Sequence, residues 1–113
     1  METKAKRTLV KSAPELWELA DDLSRMETWM AQLVGEELPP AVEVTERKPA
    51  RALSWRTSDG EARARIGLQL AERGFGTSVT ITAHLRGTER DAGAVLERLL
   101  DELGSPERQP FVG

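Results

Sequence analysis

The sequence predicts an α+β domain: a five-stranded antiparallel sheet, two short helices after the first strand, and a C-terminal helix across the sheet's concave face. Two kinds of spacing predict it. Apolar residues recur at helical spacing over 13–33 and over 92–103, and they alternate with polar residues through 42–85. That alternation is dry on one side only, the pattern of an antiparallel sheet covered on one face. A dry face has to be covered, and the last helix carries the matching apolar stripe.

The first strand is read over residues 3–11, where Thr8, Leu9 and Val10 follow alternating basic residues. Ser12-Ala13-Pro14-Glu15 then forms a capping box, with proline in the first turn where no helical hydrogen bond is lost. Leu16, Trp17, Ala20 and Leu23 fall on one helix face, and Trp17 is read as core. A second capping box is expected at Ser24-Arg25-Met26-Glu27, followed by an apolar face of Met26, Trp29, Met30 and Leu33. Gly35 suits the helix end.

After Pro39-Pro40 the period changes to two. Val42 and Val44 begin a strand, and Arg51, Leu53 and Trp55 share a face of the next. Ser58-Asp59-Gly60 turns the chain, since Asp-Gly supplies the positive φ of a tight hairpin. Ala62, Ala64, Ile66, Leu68 and Leu70 line one face of the following strand. Arg73-Gly74-Phe75-Gly76 turns again, and Val79, Ile81, Ala83 and Leu85 alternate with Thr80, Thr82, His84 and Arg86. Gly87-Thr88 ends the sheet. Thr88-Glu89-Arg90-Asp91 opens the last helix, whose stripe is Ala92, Val95, Leu96, Leu99 and Leu103, and Gly104 and Pro106 close it. One domain over 1–104 and a tail over 105–113 are expected.

Composition narrows the function classes. A hydrophobic fraction of 39% with a net charge of −3 describes a folding chain. The same charge argues against a nucleic-acid binder, which carries a basic excess. With no cysteine and one histidine, neither a thiolate site nor a His-based metal site is expected, and no cofactor is called for. No apolar run approaches the ~20 residues of a membrane span, so no membrane insertion is expected. No apolar stretch follows Met1-Glu2-Thr3-Lys4, which makes the cytoplasm the expected location. The acidic pairs Asp21-Asp22 and Glu36-Glu37 are read as solvated, because adjacent helical residues point apart. His84 falls on the wet face and is read as an exposed side chain. Arg56, Arg63, Arg65 and Arg86 make a basic stripe there, with Glu43 and Glu61 as candidate partners.

Four stretches in order resemble the START-like, or SRPBCC, superfamily of helix-grip proteins. They are Ser12-Ala13-Pro14-Glu15-Leu16-Trp17, Trp29, Pro49-Ala50-Arg51-Ala52-Leu53-Ser54-Trp55, and Gly74-Phe75-Gly76-Thr77-Ser78-Val79-Thr80-Ile81-Thr82. That superfamily includes polyketide cyclases, lipid-transport proteins and activators of the Hsp90 ATPase. Val34-Gly35-Glu36-Glu37-Leu38-Pro39-Pro40 stands where its members have two further strands. The chain therefore resembles an abbreviated member with less enclosed volume and an exposed edge at the strand from Val42.

The resemblance implies a hydrophobic ligand, a lipid or polyketide-like molecule, held without catalysis between the sheet and the C-terminal helix. The candidate ligand-binding residues are Trp29, Met30, Leu53, Trp55, Ala64, Ile66, Leu68, Val79, Ile81, Ala83, Val95, Leu96 and Leu99, with the two tryptophans near the pocket mouth. Small alanines under a crossing helix leave space for a ligand, or they let the helix sit close in a filled core. Two other readings stand beside this one. The exposed edge serves a protein partner or a homodimer, or the fold carries an aromatase/cyclase. The last is disfavoured because the predicted inner face holds almost no ionisable group. No catalytic and no metal-binding residue is expected.

Overall fold

The computed structural model describes residues 2–35, 40–57, 64–85 and 92–104. Five strands and three helices follow in the order β1 (Glu2–Leu9), α1 (Ala13–Ala20), α2 (Leu23–Val34), β2 (Val42–Lys48), β3 (Ala52–Thr57), β4 (Ala64–Arg73), β5 (Gly76–Leu85) and α3 (Ala92–Gly104). All pairings are antiparallel, and the sheet order is β1-β5-β4-β3-β2. Strands β2 to β5 form the expected meander, and β1 closes its far side. Strands β1 and β2 are the two edges.

The first strand is shorter than 3–11. Leu9 is its last inward residue, and Val10 is already 88% exposed. The chain leaves the sheet there because Ser12 caps α1: its Oγ accepts from the Glu15 N–H at 3.3 Å, and Glu15 Oε1 accepts from the Ser12 N–H at 3.5 Å. The second cap differs from the expectation. Asp22, not Ser24, caps α2, its carboxylate accepting from the Arg25 N–H at 3.3 Å. The helix thus starts at Leu23, which points outward and is 56% exposed instead of joining the apolar face of α1. Trp17 is only half-buried, packed on the edge of the core. Met26, Trp29, Met30 and Leu33 are buried as expected, and Gly35 ends α2 at φ 77°.

Alternation in β2 fails after Val44. Val44 pairs with Trp55 and Glu46 with Ser54, leaving Thr45 as a bulge. The extra residue flips the parity, so Arg47 now opposes inward-facing Leu53 and reaches Asp21 at the end of α1 (3.0 Å). Arg51 lies in the turn before β3, exposed, with its carbonyl accepting from the Leu70 N–H at 2.8 Å.

Between β4 and β5 the turn is two residues, Gly74-Phe75, as the register Arg73↔Gly76 requires. Gly74 takes φ +55°, and Gly76 passes so close to β1 that a Cβ would sit 2.1 Å from the Leu9 carbonyl oxygen. Only glycine fits either place without strain. The turn read at 58–60, Ala62 and the segments 86–91 and 105–113 lie outside the described residues.

Helix α2 packs over β2, β3 and β4, and α3 lies over β1 and β5 while touching α1 and α2. Its buried stripe is wider than the sequence suggests, because Leu100 joins Ala92, Val95, Leu96, Leu99 and Leu103. A helix facing both a sheet and other helices buries more than one narrow stripe. Arg7 on β1 ties down the outer side of α3 through Asp101 and Glu97. The hydrogen bonds it donates to Asp101 and Glu97 raise its pKa above the ordinary arginine value.

Candidate ligand site

Registers place the inner-face residues in two rows. Leu53, Leu68 and Ile81 lie side by side across β3, β4 and β5, and Trp55, Ile66 and Ala83 form the next row. Ala64 follows opposite Leu85, and Val79 lies opposite Leu70. Helix α2 adds Trp29 and Met30 from above, and α3 adds Val95, Leu96 and Leu99. All thirteen candidate residues are buried and belong to one apolar cluster. The spacing predicts this because period two puts alternate strand residues on one face, and period 3.6 aims the helical stripes at it.

Trp29 and Trp55 are each 1% exposed, so they sit inside the layer and not at a rim. Their rings lie 6.0 Å apart at 31°, a tilted aromatic pair. Their N–H groups have opposite fates. Trp29 Nε1 donates to Glu102 on α3, a hydrogen bond that ties α2 to α3. Trp55 Nε1 is buried with no hydrogen-bond partner among the described residues. An unmade hydrogen bond at a buried donor costs about 1–3 kcal/mol, so this indole is a polar anomaly in the strand floor. Glu102 escaped the sequence reading, since it stands beside the apolar stripe with an ordinary surface residue's spacing.

The outer face is wet, as the alternation predicts. His84 lies 3.4 Å from Glu2, and Arg56 pairs with Glu43 at 2.9 Å. Arg65 shares that face; Glu61, Arg63 and Arg86 lie outside the described residues. Among the described residues no group of three or more His, Cys, Asp or Glu is placed to hold a metal ion. No described helix is long and apolar enough to cross a membrane. Two surface hollows of roughly 390 and 410 Å³ lie toward the Gly74-Phe75 end of the sheet, and none of the thirteen residues lines either.

No protein-family model matches the sequence, and no curated protein matches it. Solved structures do. A protein of Deinococcus radiodurans superposes with a TM-score of 0.65 at 18% identity, over 91% of this chain and 97% of that one. An Aha1 dimer from Colwellia psychrerythraea, solved in solution, gives 0.65 at 17% identity, over 92% and 96%. An AHSA1-like protein from Aeromonas hydrophila gives 0.66 at 17% identity, over 92% and 90%. The resemblance read from four short stretches thus holds at the level of architecture: this chain's five antiparallel strands and three helices superpose on the fold of the AHSA1-like proteins.

Proposed function

We propose that the protein binds a small hydrophobic molecule between the sheet and α3, without chemistry on it. The observation that carries this is Trp55 Nε1, a donor buried in an apolar layer with no acceptor among the described residues. A ligand that is mostly apolar but bears one carbonyl or hydroxyl oxygen would complete it. Ala83 stands in that indole's row and Ala64 in the next, and both are small, buried side chains. None of the thirteen side chains ionises, which supports binding over general acid–base catalysis. Entry of a ligand would part α2 from α3, against the Trp29–Glu102 hydrogen bond that joins them.

A matched pair of probes tests this. Acetylnaphthalene and ethylnaphthalene have nearly the same shape, and only the first carries an acceptor. Tryptophan fluorescence is expected to report tighter binding of the ketone by about threefold to tenfold, the worth of one net hydrogen bond. Trp55→Phe is expected to abolish that preference while keeping the binding of ethylnaphthalene. Equal binding of both probes to the wild type, or no binding of either, contradicts the proposal.

A second reading rests on the β2 edge. Its outward backbone pairs with no described strand, and the Colwellia psychrerythraea protein of the same fold is a dimer. The bulge at Thr45 and the charges of Glu43, Glu46 and Lys48 weigh against strand-to-strand pairing there. Solution mass at increasing concentration separates the readings.

A further inference from the structure

Phe75 at the β4–β5 turn is wholly exposed, and Val10 beside it is 88% exposed. Both line the same hollow, so two bare apolar side chains stand at one end of the sheet. Folding does not call for them: the turn needs the positive φ of Gly74, and nothing depends on a phenyl ring next to it.

The same end is cationic. Strands β1, β2 and β4 finish there, and β3 and β5 begin there, which brings Lys6 and Lys48, level with each other across the sheet, to the same end as Arg51 and Arg73. These four rim the second hollow, over a polar floor that includes Gln69 and Thr80. Lys48 lies 3.8 Å from Glu46, whereas Lys6, Arg51 and Arg73 form no ion pair among the described residues. Glu15 and Glu72 also line the tip hollow, and Glu15 is already engaged in the Ser12 capping box. The opposite layer is acidic: the three helices carry six acidic side chains and two basic ones. A chain of net charge −3 therefore presents a positive end.

We propose that this end docks the protein on an anionic lipid bilayer, with Phe75 and Val10 at headgroup depth and Lys6, Arg51 and Arg73 over the lipid phosphates. A bilayer offers apolar depth and negative charge in one plane, which is the chemistry this end combines. Nothing spans the membrane in this arrangement, and it stands independently of the interior ligand site.

Vesicle flotation tests it, with phosphatidylcholine vesicles against the same vesicles containing about a third phosphatidylglycerol. The full chain is expected to float with the anionic vesicles alone and to be released by salt. Phe75→Ser is expected to weaken binding about tenfold, and each of Arg51→Glu and Arg73→Glu at least about fivefold. Phe75 packs on nothing, so the serine variant keeps its fold, which its thermal transition verifies. Absence of wild-type binding, or Phe75→Ser binding like wild type, overturns the proposal. So does a wild-type dimer that Phe75→Ser dissolves in a protein that ignores vesicles, since the tip then serves a second copy.

Discussion

Two glycines in one turn are constrained for different reasons, and their substitution by alanine separates those reasons. At Gly76 a Cβ would meet the Leu9 carbonyl oxygen at 2.1 Å and its carbon at 3.0 Å. Both are backbone atoms, so no side-chain rotation relieves the clash. The end of β1 has to withdraw from β5. That movement breaks the Leu9↔Thr77 pairing and the hydrogen bond from Thr77 Oγ1 to the Lys11 carbonyl at 2.7 Å. It also lifts Leu9, 6% exposed, out of the core. Uncovering a leucine forfeits about 1.5–3 kcal/mol, and each lost hydrogen bond about 1 kcal/mol. With partial relaxation, Gly76→Ala is expected to cost about 3–4 kcal/mol. At Gly74 a Cβ meets nothing within 4 Å, and only the φ of +55° penalises it. Gly74→Ala is therefore expected to cost about 1–2 kcal/mol. Equilibrium urea unfolding of both variants reads the difference, with the slope held in common. A Gly76→Ala variant within about 1 kcal/mol of wild type, or one more stable than Gly74→Ala, refutes the close approach of β5 to β1.

Other substitutions probe the helical layer. Leu96→Ala empties a fully buried position of α3 and is expected to cost about 2–5 kcal/mol by chemical denaturation. Glu102→Ala removes the acceptor of Trp29 Nε1 and is expected to destabilise by about 1–3 kcal/mol, whereas Glu102→Gln keeps an acceptor and loses less; thermal melts order the two. Arg47→Ala breaks an exposed ion pair to Asp21 and is expected to cost no more than about 1 kcal/mol, a difference that salt erases.

Local chemistry made most of the fold legible. The Ser12-Ala13-Pro14-Glu15 cap needs only four residues to work, and the β4–β5 turn needs only its glycines, so both were readable. The start of α2 was not. Asp22 and Ser24 are both competent caps two residues apart, and local preference does not rank them. The Thr45 bulge was equally hidden, because β2 is an edge strand whose charged second half gives no alternation to interrupt. For the interior, alternation identified which side chains face inward. It carried no information on hydrogen-bond partners, which depend on how α2 and α3 meet. The pairing of Trp29 with Glu102, and the isolation of Trp55 Nε1, appear only once both helices are placed.

Native mass spectrometry of the protein purified from its own host tests the interior site most directly. A buried indole N–H that waits for an acceptor predicts a species heavier than the 12.5 kDa chain by one small, largely apolar molecule carrying an oxygen. That molecule should be released on denaturation and retained poorly by Trp55→Phe. A bare chain in every charge state, or a bound molecule that Trp55→Phe retains as well as the wild type, would contradict a ligand seated on Trp55.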